Sequence, residues 1–257
     1  MTRAHLLAMK RALRVGASIE DMVTWTAALT AFHFFCRASE YCATLADGSF
    51  DVSRVLRRCD VIFLRGGQQI HESLMEADEV QVTFGKTKTS AGGETRAQHR
   101  ADHELCVVSA LAAMCSRRTY SHPEEPLFSW PQGSRRPGRG VRYVDMMTLV
   151  KDAGVALGED PKDYGTHSYR RGGATAYMTA GVAYERVRIF GRWKSDCARR
   201  YIEPWAGMMA EAAHLVARGH VDAAVQPRGE VRAQVAFESR ARMEAQRLIW
   251  RMRQQRQ

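Results

Sequence analysis

The chain has 257 residues, 45% of them hydrophobic, enough for one large core or two small ones. Its formal charge is +10, and only Lys10, Lys86, Lys88, Lys151, Lys162 and Lys194 of the 38 basic residues are lysine. The excess of arginine, whose planar fork matches phosphate oxygens, points to a polyanionic partner. No apolar run of about 18 residues that would cross a bilayer is present, and the opening segment does not read as a secretory leader, so a soluble, intracellular protein is expected. Cys36, Cys42, Cys59, Cys106, Cys115 and Cys197 form no C-x-x-C pair and no cluster with histidine. They read as reduced thiols, and no metal or other cofactor is expected.

The opening MTRAHLLAMKRALRVGAS is basic and free of acid; its spacing of Leu6, Leu7, Met9 and Leu13 fits an amphipathic helix, with a transit peptide as the alternative. Ser18 is a plausible N-cap, and Ile19, Met22, Val23, Ala27 and Thr30 continue at helical spacing into the apolar AFHFFC, with Arg37 closing the helix. From Asp60 the texture changes to VIFL, a Gly66-Gly67 turn, then Val80, Val82 and Phe84 alternating with polar residues, and TRAQHR beyond. That pattern predicts a small antiparallel sheet with a hairpin. Leu105, Val108, Leu111, Ala112 and Cys115 predict a helix stopping near Arg118. A Pro/Gly-rich loop follows from His122 to Gly140, with Arg135, Arg136, Arg139 and Arg142 in or beside it as candidate phosphate contacts.

From Val141 onward nearly everything has helical spacing, punctuated by Gly158, Pro161, Gly165, Gly181, Gly191 and Pro204. The expected fold class is therefore mainly α (α+β), helical with one small antiparallel sheet and hairpin inserted early. The expected organisation is a catalytic domain over 1–220 and a basic helical tail over 221–257, which either solvates its arginines or touches DNA or a neighbouring subunit.

Several residues carry chemistry. GTHSYRRGGATAYMTAGV places His167 and Arg170 three apart at the start of a helix, where two donors can converge on one phosphate. Trp193 lies twenty-three residues beyond Arg170, and Tyr201 eight further on. RASE, Arg37 to Glu40, lies far upstream, and the hairpin carries GKTKT with Lys86 and Lys88.

In their order and element types, these segments resemble the catalytic domain of the tyrosine recombinase, or phage integrase, family from about Thr24 to Trp205. The wording FGRWKSDCARRYI is most similar to the recombinases of eukaryotic DIRS-like and crypton-like mobile elements. The resemblance implies an integrase-like fold and metal-independent DNA strand cleavage and religation through a 3′-phosphotyrosyl intermediate, in site-specific recombination or integration. It further implies double-stranded DNA as partner, a homo-oligomer, a tetramer, on DNA, and a nuclear location in a eukaryote or the cytoplasm and nucleoid otherwise. The gap from Trp193 to Tyr201 is one residue shorter than in many bacterial members. The family's N-terminal core-binding domain does not fit between Met1 and Arg37, so a truncated or split arrangement is expected.

By the same resemblance the catalytic set is Arg37, Lys88, His167, Arg170, Trp193 and Tyr201. Tyr201 would attack phosphorus; its ordinary pKa near ~10 requires activation by a cationic pocket or a base. Arg37 and Arg170 would hold the non-bridging oxygens, and His167 would donate a hydrogen bond or accept the tyrosine proton. Lys88, with Lys86 as competitor, would protonate the leaving 5′ oxygen, and the Trp193 indole N–H would bind phosphate. Glu40 would hold Arg37 or its helix in place. Arg171 and Lys194 join Arg135, Arg136 and Arg139 as DNA contacts. Plainer roles stand beside these: a buried ion pair for Arg37, a helix cap for His167, core packing for Trp193 and Tyr201, solubility for Lys86 and Lys88. Three other functions compete: a degenerate domain that grips DNA without cutting, a type IB topoisomerase, and an RNA-binding helical protein.

Overall fold

The computed structural model describes residues 1–45, 49–85, 93–130 and 140–194. Helix α1, Arg3–Ala12, buries Leu6 and Met9 and packs on α5, Tyr143–Ala156, as the amphipathic reading of the opening segment predicts. Helix α2, Ile19–His33, starts where expected: the Ser18 hydroxyl accepts from the Asp21 N–H at 3.1 Å. Its buried residues run all round its surface, from Met22 and Val23 to Ala31 and Phe32, so it is the central rod of the core. Helices α4, Val107–Arg117, and α6, His167–Thr179, pack against it.

The expected helix through to Arg37 is corrected. Helix α2 ends at His33, Phe35 turns back in the left-handed region at φ +50°, and Arg37 becomes the N-cap of a short α3, Ala38–Tyr41. The apolar run continues because Phe34, Phe35 and Cys36 are all buried, whether or not they are helical. Burial here outweighs helical periodicity.

The sheet is as expected, with β1 Val61–Arg65, β2 Gln68–Ile70, β3 Glu79–Phe84 and β4 Glu94–His99 in the antiparallel order β2-β1-β3-β4. Gly66 and Gly67, at φ +56° and +78°, make the two-residue turn between β1 and β2, a backbone shape that suits glycine at both positions. Val80, Val82 and Phe84 are buried on one face, and Val82 pairs with Arg96 across the β3–β4 hairpin. Residues 86–92 of that hairpin lie outside the described set, as do the GKTKT lysines Lys86 and Lys88. Helix α4 ends at Arg117, matching the predicted stop, and α7, Tyr184–Phe190, leads into Gly191–Trp193. Among the described residues the class is thus α+β, mainly helical with one small antiparallel sheet. Five of the cysteines, Cys36, Cys42, Cys59, Cys106 and Cys115, are free thiols, and no described helix is long and apolar enough to cross a membrane.

Candidate functional site

The end of α2 is the structural floor of the site. Helix α6 approaches it closely because Gly173 has no side chain: a Cβ there would collide with the Phe32 carbonyl and the Phe35 ring. From that helix Arg170, 3% exposed, donates to the Phe35 carbonyl and, at 2.6 Å, to the Gly191 carbonyl. Its guanidinium lies 4.2 Å from the centre of the Trp193 ring. Trp193 is itself buried against Phe35, Ala174 and Val187, and Gly191 must be glycine because a Cβ there would fall inside the indole.

A third arginine, Arg192, completes the cluster. It sits at φ +62°, the left-handed region, where a non-glycine residue is strained and is kept only by its surroundings. Its guanidinium donates to Phe34 and Phe35 carbonyls at 3.2 and 3.5 Å and to Glu40 Oε2 at 2.6 Å, and stacks 3.5 Å from the Phe84 ring at the end of β3. Its Nε is buried with no hydrogen-bond partner among the described residues. Glu40, 3% exposed, also accepts from the Arg37 backbone N–H at 2.8 Å and from Arg37 Nη1 at 3.2 Å. One carboxylate therefore serves Arg37 and Arg192, with Arg170 close by.

The charge count leaves a surplus. Burial first, then the neighbouring cations Arg192 and Arg37, push Arg170 down to about 9, against the opposing pull of Glu40 and Cys36. Among the described residues three guanidinium groups face one carboxylate, a local excess of positive charge that reaches solvent through Arg37, whose side chain is 35% exposed. Such a place favours an anion. The Cys36 thiol at the same spot is pushed well up by burial and then by Glu40, so it is inert as a nucleophile.

The hairpin is tied to this corner from both strands. Besides the Phe84–Arg192 stack, Arg96 on β4 donates to the Phe190 carbonyl at 2.9 Å and to the Ile189 carbonyl at 2.7 Å, closing the C-terminal end of α7. Nothing in the wording TRAQHR marks Arg96 for that task, and Arg192 was likewise hidden in GRWKS. The available cue for Arg192 was a charged residue set between an apolar helix end, RIF, and a tryptophan.

Of the sequence-predicted residues, Arg37, Glu40, Arg170 and Trp193 come together. His167 begins α6 one turn before Arg170 but is exposed, whereas Arg170 is buried with two donors on carbonyls. Arg171 is half-buried on the same helix, close enough to the Met1 amino group to lower its pKa after burial has done so, and Lys194 is exposed. Lys86, Lys88, Arg135, Arg136, Arg139, Tyr201 and the tail over 221–257 lie outside the described residues. Among the described residues no group of three or more His, Cys, Asp or Glu side chains is placed to hold a metal ion.

No known protein family matches the sequence, and no curated protein does. Sixteen solved chains are similar in structure. Among them is the Tn1549 transposon integrase in complex with circular intermediate DNA, at 14% identity and a TM-score of 0.43, with 81% of this chain and 61% of that one covered. The chain thus spans 61% of the length of that solved structure.

Proposed function

We propose that this chain is a tyrosine-recombinase catalytic domain that cleaves and rejoins duplex DNA. The observation that carries the reading is the convergence of Arg37, Glu40, Arg170 and Trp193, from three distant segments, on one cluster with surplus positive charge. Those are four of the residues whose order in the sequence resembles that family.

In this reading the Tyr201 oxygen forms a bond to phosphorus while the bond from phosphorus to the 5′ oxygen breaks. The phenol proton goes to His167 or solvent, and Lys88 supplies a proton to the departing oxygen. Energy of the broken ester is kept in the 3′-phosphotyrosyl bond, so the reverse attack by a 5′ hydroxyl restores the strand. Arg37, partly exposed and backed by the deeper Arg170 and Arg192, binds the non-bridging oxygens, where charge grows as the phosphorane forms. Trp193 walls the corner. Integration or site-specific recombination of a mobile element, by subunits assembled as a tetramer on two duplexes, is the biological setting, and the DIRS-like or crypton-like wording of FGRWKSDCARRYI supports a eukaryotic element and hence a nuclear location. The catalytic unit extends over 1–220, with 221–257 as a basic tail that contacts DNA or a neighbouring subunit.

A suicide DNA substrate tests the nucleophile. The wild-type chain is expected to form a covalent protein–DNA adduct and Tyr201→Phe none, with duplex affinity unchanged. An undiminished adduct in Tyr201→Phe overturns the assignment. One observation favours a second reading, a domain that grips DNA without cutting it: both terminal nitrogens of Arg170 are already committed to backbone carbonyls. That reading expects a gel shift and no adduct with any substrate design.

A further inference from the structure

Among the described residues the same local device occurs three times, an arginine just ahead of a helical turn whose backbone N–H is capped by an acid three residues on. Arg57 with Asp60 and Arg142 with Asp145 are the first two cases, and both are closed. Arg57 donates Nε to Oδ2 at 3.0 Å and Nη2 to Oδ1 at 2.9 Å, and its backbone N–H reaches Oδ2 at 2.8 Å. Arg142 repeats the pattern, with 2.9 Å from Nε, 2.5 Å from Nη2 and 3.1 Å from the backbone. In each, the guanidinium spends two donors on its own acid, a two-handed pairing that forms whether the arginine is half-buried, as Arg57 is, or more exposed, as Arg142 is.

Arg37 with Glu40 has the same backbone anchor, 2.8 Å from N–H to Oε2, and a different side-chain outcome. Arg37 makes a single contact, Nη1 to Oε1 at 3.2 Å, because Oε2 is held at 2.6 Å by Arg192. Glu40 is 3% exposed and Arg192 6%, so water does not compete for that oxygen, whereas the Arg37 side chain is 35% exposed. Arg192 is further locked by two carbonyls and the Phe84 ring, at a left-handed backbone angle that a non-glycine residue disfavours.

We infer that Arg192 is a positioning residue: by taking one oxygen of Glu40 it keeps Arg37 from closing two-handed on its own acid, and so leaves the Arg37 fork for a DNA phosphate. The inference rests on the reading that duplex DNA is the ligand of this site. Arg192 need not touch DNA itself. Its removal frees the Glu40 carboxylate to swing into the paired geometry of Arg57–Asp60, and the protein loses a phosphate contact without losing a phosphate-binding residue.

The salt dependence of duplex binding measures this directly, since each phosphate contact adds about −0.9 to the slope of log affinity against log salt. Arg192→Met is expected to flatten the slope by about 0.9, which is a loss of roughly 3.5-fold in the affinity change between 50 and 200 mM salt. Adding Glu40→Gln, which removes the competing charge, restores the slope, and Arg192→Lys, which still neutralises Glu40, retains it. If Arg192→Met does not fold, Arg192→Gln takes its place, keeping a donor for the Phe34 and Phe35 carbonyls without the charge. Unchanged slope in the Met or Gln variant, or no recovery in the double variant, overturns the inference, because a merely structural role would not respond to removal of the Glu40 charge. Absence of salt-dependent duplex binding in the wild-type chain overturns the DNA reading itself, and the inference falls with it.

Discussion

Two buried arginine clusters in this molecule differ in one respect. Just past the end of α4, Arg118, 3% exposed, stacks 3.9 Å from the Tyr120 ring, donates to the Leu127 carbonyl at 2.9 Å and Ser129 Oγ at 2.7 Å, and pairs with Glu125. At the end of α2, Arg170 and Arg192 are buried just as deeply, stack on Trp193 and Phe84, and share with Arg37 the one carboxylate of Glu40. The first cluster answers its cation with an acid of its own. Among the described residues the second holds more cations than acids, and burial makes that expensive. The same side-chain chemistry is thus a staple in one place and, in the proposed function, a seat for phosphate in the other.

The sharpest way to break this comparison is to remove one cation from each cluster. Arg118→Met strands Glu125 beside a buried surface and is expected to cost about 3–5 kcal/mol in urea denaturation, with duplex affinity intact. Arg170→Met also loses two charged hydrogen bonds, but it relieves repulsion from Arg192 and Arg37. Its cost is therefore expected to be smaller by about 1 kcal/mol or more, while duplex affinity drops at least about tenfold. Equal stability losses with equal affinities would show that both clusters are staples.

Acid should weaken the floor of the arginine-rich site. His33, the last residue of α2, is pushed down to about 4 because burial disfavours its charged form, an effect its hydrogen bond to the Leu105 carbonyl only partly offsets. A folded-state pKa below the ordinary 6.5 means that the unfolded chain binds the extra proton between those values. The stability contributed by the neutral ring is then whole above pH 6.5 and is lost as pH falls toward 4, by about 3 kcal/mol in total. His33→Gln should remove that loss, lowering the slope of stability against pH in this window by up to about 1.4 kcal/mol per unit. An unchanged slope would detach acid sensitivity from the α2 end.

How much of this was legible beforehand follows from where each interaction's partner lies. The Ser18 cap, the hairpin around Gly66-Gly67 and the stop at Arg117 were readable because side chain and partner are a few residues apart. Arg37, Glu40, Arg170 and Trp193 were readable as an ordered set, by resemblance. Arg192 and Arg96 were not, since their partners are mostly main-chain carbonyls (Phe34, Phe35, Ile189 and Phe190), and carbonyls carry no residue identity to recognise. The break at Phe34–Phe35 escaped for a related reason: a left-handed phenylalanine contradicts local preference and is stabilised by the packing of Trp193, Tyr177 and Phe190 around it and by Arg170 and Arg192 donating to its carbonyl.

The smallest expected effect is also the most direct reading of the unanswered charge. A ligand that binds the folded state raises its stability by RT ln(1 + [L]/Kd), about 1.4 kcal/mol at tenfold excess over Kd. Inorganic pyrophosphate presents the charge and oxygen geometry of a phosphate without bases to read. Added at constant ionic strength against chloride, it is expected to raise the melting temperature of the wild-type chain and of Arg118→Met by similar amounts, since Arg118 is already paired with Glu125. In Arg170→Met the rise should largely vanish, because the charge behind Arg37 has been reduced by one. A rise of the same size in Arg170→Met would place the anion elsewhere on this arginine-rich surface, and a rise that vanished in Arg118→Met instead would reverse the roles of the two clusters.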